Sequence, residues 1–165
     1  MSAHNINTPE SPPLCIHVPS ELEMDRLGEM IAGALVSGDC LLLDGPMGAG
    51  KSHLARAILR TRLDDADAEV PSPTYTLLNT YHDGVCEIHH GDFYRLSGGD
   101  EIAELGIDEA VNQGIVLLEW PDRWPSPPQR HLRIEISPLE PEGRKLLSLA
   151  RGDWTEMMHQ LGDFQ

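Results

Sequence analysis

The chain has 165 residues and a formal charge of −15, from 27 acidic residues against 12 basic. That length supports one domain with a single core. Its acidic field, with no Lys/Arg cluster, speaks against a protein that grips RNA or DNA directly by displacing counterions. No run of about 18 apolar residues occurs, so no membrane-spanning helix is expected. Residues 1–13 are polar and Pro-rich, with neither a basic nor an apolar leader segment. They read as a disordered lead-in to one domain spanning residues 14–165. Leu14-Cys15-Ile16-His17-Val18 alternates like an edge strand. Ser20 and Glu23 then form a capping-box pattern ahead of a helix whose apolar face is Leu27, Met30, Ile31, Ala34 and Leu35, with Gly38 as its stop.

Cys40-Leu41-Leu42-Leu43-Asp44 is a short apolar run that suits a buried strand, and residues 52–62 suit a helix. Between them stands Gly45-Pro46-Met47-Gly48-Ala49-Gly50-Lys51-Ser52, a complete phosphate-binding P-loop. It uses one of only two lysines in the chain. Glycine at both ends permits backbone conformations that turn successive N–H groups around phosphate oxygens. Lys51 places a point charge against the β- and γ-phosphates, and the Ser52 hydroxyl can ligate Mg²⁺. The helix that follows aims its dipole and free N–H groups at the same oxygens. Nucleoside triphosphate is therefore expected along Gly45, Met47, Gly48, Ala49, Gly50, Lys51, Ser52 and His53. Pro46 removes one N–H from an early loop position.

Residues 64–69 are small and acidic, a surface connection. Residues 75–81 and 85–90 look like strands joined by the hairpin signal His82-Asp83-Gly84. Ser97-Gly98-Gly99-Asp100 breaks the chain before two short helical pieces around residues 102–105 and 108–111. Ile115-Val116-Leu117-Leu118 reads as a central strand covered on both faces. Residues 121–128 hold four prolines and are expected as loop. Residues 131–137 and 144–150 alternate as strands, and residues 153–161 form a terminal helix. Cys15, Cys40 and Cys86 lack metal-ligand spacing and are expected as buried free thiols of a cytoplasmic protein. His89 and His90 point to opposite faces of a strand, which disfavours zinc.

A P-loop also needs a carboxylate at the end of a buried strand. Glu119 closes the run of residues 114–118, and Asp92 lies just past the strand ending at His90. One would hold Mg²⁺ and the other would orient the attacking water. Together with Lys51 they are the candidate catalytic groups. Thr74 and Thr76 offer hydroxyls to a γ-phosphate or metal. Arg95 and Arg123 are either transition-state cations or surface ion-pair partners.

Four segments, in this order, resemble one family. They are residues 45–52, Ser72-Pro73-Thr74-Tyr75-Thr76-Leu77, His90-Gly91-Asp92-Phe93-Tyr94-Arg95-Leu96 and Glu119-Trp120-Pro121-Asp122-Arg123. The pattern is similar to that of the TsaE family, bacterial P-loop ATPases of tRNA threonylcarbamoyladenosine synthesis. The resemblance runs over about residues 18–150. It implies an α/β P-loop NTPase sandwich of three layers, with a mostly parallel central sheet and added antiparallel strands. It implies ATP as substrate and Mg²⁺ held by Ser52 and Glu119. It further implies Asp92 needed for activity, Trp120 close to the nucleotide, residues 72–77 as a switch-like loop, and TsaD and TsaB as protein partners. Ser52-His53 stands where two threonines are commonest in that family, and serine offers the same oxygen ligand. The rival readings are a P-loop kinase of a small molecule or nucleotide, and a nucleotide-gated binding module with incidental hydrolysis.

Overall fold

The structure, a computed structural model, describes residues 11–164. Residues 1–10 of the expected lead-in lie outside the described residues. In chain order the elements are β1 (Leu14–Val18), α1 (Glu21–Ala34), β2 (Cys40–Asp44), α2 (Lys51–Arg62), β3 (Leu78–His82) and β4 (Glu87–Asp92). There follow α3 (Gly99–Glu104), α4 (Ile107–Gln113), β5 (Gly114–Glu119), a 3₁₀ turn (Pro121–Arg123), β6 (His131–Pro138), β7 (Arg144–Arg151) and α5 (Thr155–Asp163).

The seven strands form one sheet in the order β1-β7-β6-β2-β5-β4-β3. Its centre, β6-β2-β5-β4, is parallel, and β7, β1 and β3 join antiparallel at the margins. Residues of β2 and β5 are buried on both faces, which is why their sequences run apolar without alternation. Alternation within each strand divides the core in two. Leu41, Leu43, Ile115 and Leu117 join the core under α1, α2 and α5. Cys40, Leu42, Val116 and Leu118 join a second core with Ile102, Ile107, Val111 and Trp124 from the α3–α4 side. The result is the α/β P-loop sandwich of three layers.

Three local expectations change. Residues 74–77 are turn, and the strand starts only at Leu78. Pro71 and Pro73 restrict the approach, and Leu77 takes a left-handed conformation at φ 66°, which a strand does not accommodate. Tyr75 is accordingly exposed. Cys15 is exposed because β1 is an edge strand whose Leu14, Ile16 and Val18 take the inner face, and Cys86 is half-buried. Ser20 caps α1 by accepting from Glu23 N at 3.2 Å, but the Glu23 carboxylate accepts from Arg26.

Candidate functional site

The loop between β2 and α2 is shaped by its glycines. Gly45 sits at φ 147°, and a Cβ there would stand 2.5 Å from the Ile136 carbonyl oxygen on β6. Gly50 caps α2 at φ 114°, a conformation that favours glycine. The start of the loop is anchored by Asp44, whose Oδ1 accepts from Gly45 N at 2.8 Å. Its end is anchored by Arg144 on β7, which donates from Nε to Ala49 O at 2.7 Å. A trans peptide points its C=O and N–H in opposite directions, so this contact also fixes the direction of the Gly50 N–H.

Lys51 opens α2 and is buried. Its Nζ donates to Gly45 O at 2.7 Å and Pro46 O at 2.8 Å, and lies 4.3 Å from the centre of the Trp120 ring. Burial draws its pKa below the ordinary lysine range, while Glu119, Asp44 and Asp92 pull it back up. The ammonium is thus held by two carbonyls and an aromatic face, within the field of three acids.

The two strand-end acids arrive by register. β4 and β5 run parallel with Asp92 opposite Glu119. Both are buried. Glu119 Oε1 accepts from Ser52 Oγ at 2.7 Å, and Oε2 lies 2.7 Å from His90 Nε2. Asp92 Oδ1 accepts from Tyr94 N at 2.9 Å, and Oδ2 accepts from Ser72 Oγ at 3.4 Å. Burial raises the Asp92 carboxyl above the usual carboxylate range, opposed by the Tyr94 N–H and reinforced by the Glu119 charge.

These residues line a cleft of about 310 Å³. Met47, Gly48, Lys51 and Ser52 come from the loop and α2. Ser72, Thr74, Asp92, Tyr94, Arg95, Glu119 and Trp120 form the facing wall. A second cavity of about 810 Å³ shares Gly48, Lys51 and Ser52 with the cleft. Its remaining wall comes from residues 18–22 and Met24, from Gly50, His53 and Arg56, and from residues 141–144; the His53 ring is 2.7 Å from Asp25. Gly45 and Ala49 shape the loop without lining either space. Arg95 stacks over Tyr75 at 4.4 Å, whereas Arg123 lies in the 3₁₀ turn outside the cleft. His89 turns away from His90 and pairs with Thr80.

The donor set suits a hard cation. Ser52 spends its proton on Glu119, leaving hydroxyl lone pairs free to accept a metal, with carboxylate close behind. Among the described residues no three His, Cys, Asp or Glu side chains gather into a metal cage. Mg²⁺ carried by phosphates needs none, because one or two protein ligands complete its shell.

His90, Ser72, Tyr94, Asp44 and Arg144 were not assigned roles from sequence. The first three carried a readable signal, since each sits inside a segment that marked the site. Arg144, 95 residues from the carbonyl it holds, carried none.

Residues 18–146 match the profile of the family described as threonylcarbamoyl adenosine biosynthesis protein TsaE. A Bacillus subtilis protein named tRNA threonylcarbamoyladenosine biosynthesis protein TsaE is 33% identical over 142 residues, covering 82% of this chain and 85% of that one. A Rickettsia conorii protein of the same name is 40% identical over 101 residues, 61% of this chain. That alignment spans 57% of the Rickettsia protein, somewhat over half its length. The crystal structure of Bacillus subtilis YdiB superposes with a TM-score of 0.73 at 26% identity, covering 93% of this chain and 96% of that one.

Proposed function

The chain belongs to the TsaE family of threonylcarbamoyladenosine biosynthesis proteins, and from that premise we propose that it is a Mg²⁺-dependent ATPase of the tRNA-modifying machinery. The observation that carries the reading is convergence. Lys51, Ser52, Asp92 and Glu119, drawn from α2, β4 and β5, line one cleft beside a P-loop. In this reading the polyphosphate lies along Met47, Gly48 and Gly50, on the loop that Gly45 and Ala49 shape, so that its β- and γ-phosphates meet Lys51 in the smaller cleft. The nucleoside end occupies the larger cavity beside His53 and Arg144. Ser52 and Glu119 would hold Mg²⁺, which when bound would neutralise developing charge on phosphate oxygens. Asp92 orients the attacking water, and Thr74 with Trp120 closes the γ-phosphate side.

Partner docking fits the same wall. Met47, Tyr75 and Tyr94 are exposed around the cleft mouth, and residues 72–77 form a turn anchored to Asp92 through Ser72. In our reading ATP binding and hydrolysis reshape this wall and so switch contact with TsaD and TsaB in the cytoplasm. The −15 charge leaves tRNA to those partners. Among the described residues no helix is long and apolar enough to cross a membrane. The test is γ-labelled ATP incubated with the chain, alone and with TsaD and TsaB. Label released as phosphate, faster with the partners present, is the expected result. Label transferred to any other acceptor identifies a kinase, and no release under any condition refutes ATPase activity.

A further inference from the structure

His90 lies outside the cleft lining yet is almost fully buried, at 2% exposure. Strand alternation puts it on the same face of β4 as Asp92. Its Nε2 is 2.7 Å from Glu119 Oε2, while the other carboxylate oxygen takes the Ser52 hydroxyl. An ionised carboxylate only accepts, so with Glu119 ionised the hydrogen of this contact lies on His90 Nε2. The second ring nitrogen, Nδ1, is buried with no hydrogen-bond partner among the described residues. An unsatisfied buried nitrogen costs stability, and an apolar side chain would fill the same space without that cost. Packing alone therefore does not account for a histidine here, whereas the contact to Glu119 does.

We propose that His90 is a positioning residue that pins the Glu119 carboxylate against Ser52. With Oε2 held from behind by the ring N–H, Oε1 stays on the Ser52 hydroxyl, and the hydroxyl lone pairs stay directed into the cleft. Without that tie the Glu119 side chain gains rotational freedom. The Ser52 proton then loses its fixed acceptor, and the hydroxyl no longer presents one orientation to a cation. His90 touches neither nucleotide nor metal in this arrangement, and its effect passes through Glu119. The inference rests on the Mg²⁺–ATP reading of the cleft.

The experiment titrates the full chain with a fluorescent ADP analogue, in EDTA and across Mg²⁺ concentrations. It compares the unaltered protein with His90→Asn and His90→Gln. Glutamine carries an amide N–H to about the distance of Nε2, whereas asparagine stops short of it. The expected result is that His90→Asn raises the half-saturating Mg²⁺ about tenfold, with binding in EDTA unchanged, and that His90→Gln restores most of the loss. An unchanged Mg²⁺ requirement in His90→Asn overturns the inference alone. So does an equal loss of binding in EDTA, which would mark His90 as structural. Absence of any Mg²⁺ dependence in the unaltered protein overturns the underlying reading as well. A second measurement needs no variant and covers the case in which His90→Asn does not fold. The His90 Nε2 proton of the unaltered protein must appear by NMR as a slowly exchanging signal. It must shift when Mg²⁺ joins the ADP complex, and a signal absent or unmoved overturns the proposal.

Discussion

In the loop from Asp44 to Ser52, which supplies one wall of the cleft, each residue with positive φ is a glycine, at positions 45, 48 and 50. In the segments that carry the facing wall, the same left-handed region is occupied by Leu77 at φ 66°, which ends the turn after Ser72 and Thr74, and by Trp120 at φ 60°. A side chain in that region costs on the order of 1 kcal/mol or more, where glycine costs little. The first wall is thus relaxed in its own conformation, and the second is held there by its surroundings. Leu77 is fixed from both sides, its N–H donating to Pro73 O at 2.8 Å and its C=O accepting from Asp92 N at 3.0 Å. Trp120 is braced by the Tyr94 ring at 4.8 Å and by the Lys51 ammonium. In the proposed reading, the wall that is relaxed in its own conformation would grip phosphate, and the strained wall opposite would be the one that changes shape with the partner.

The largest expected effect breaks the grip itself. Lys51→Ala should lower partner-stimulated ATP turnover by more than about 100-fold, because it removes the one cation the loop supplies to the transferred phosphate. Phosphate release under saturating Mg²⁺ measures this, and turnover near the unaltered rate would mean the cradle does not serve phosphate.

Backbone conformation separates the walls next. Gly45→Ala forces a Cβ to 2.5 Å from the Ile136 carbonyl oxygen at φ 147°. A destabilisation of about 3 kcal/mol or failure to fold is expected. At Trp120 the order of substitutions should invert, with Trp120→Gly more stable than Trp120→Ala by about 1 kcal/mol. Urea unfolding of the two variants checks this, and Ala at or above Gly would remove strain from the description of the facing wall.

How far each wall was legible in the sequence follows from the same contrast. The cradle is eight contiguous residues between an apolar strand and a helix, so its local pattern was enough to locate β2, the loop and α2 to within one residue. The strands β5, β6 and β7 were readable for a similar reason, through their apolar run or alternation. The facing wall is assembled from residues 72–77, 90–95 and 119–120, brought together by the β4–β5 register, which no local pattern encodes. Asp92 and Glu119 were found as strand-end acids, but that they stand opposite each other, and that His90 backs one of them, emerges only from the sheet. Residues 75–77 form a turn although Tyr75, Thr76 and Leu77 look suited to the strand expected from residue 75. The left-handed Leu77 and the two prolines override that preference.

Asp92 sharpens the comparison through charge. Burial raises its pKa, so the folded protein binds the Asp92 proton more tightly than the unfolded chain does. Stability from this group is therefore full below the unfolded carboxyl value of about 3.9 and is lost as pH rises through the folded value. Asp92→Asn should accordingly raise Tm at pH 7, by about 2–4 °C if the gain is on the order of 1 kcal/mol, with no gain below pH of about 3.9. The same substitution should cut turnover at least tenfold, on the order expected for a lost water-orienting base. In the unaltered protein turnover should rise with pH along a limb placed above the ordinary carboxylate range. Calorimetry across pH checks the stability sign, and a lower Tm for Asp92→Asn at pH 7 would show that Asp92 is satisfied rather than strained by its burial.

The smallest expected effect lies where the two walls meet. Arg133 on β6 donates to Asp44, at the root of the cradle, and to Asp122 at 2.8 Å, in the turn that follows Trp120. The two acceptors differ in setting. Asp44 is mostly shielded and also takes the Gly45 N–H, whereas the Asp122 side chain is 76% exposed. An exposed pair contributes about 0.2–1 kcal/mol and is screened by salt. Asp122→Ala should therefore shift Tm by no more than about 3 °C and turnover by less than about twofold. The shift should vanish near 1 M salt, where the screening length falls to about 3 Å. Asp44→Ala leaves both the Arg133 guanidinium and the Gly45 N–H without that acceptor, and should cost about 1–3 kcal/mol. Thermal melts of the two variants at low and high salt make the measurement. If Asp122→Ala instead lowers turnover tenfold with Tm unchanged, the exposed end of the bridge controls the cradle. The walls then move as one body, and a fixed grip facing a movable wall is the wrong description of this cleft.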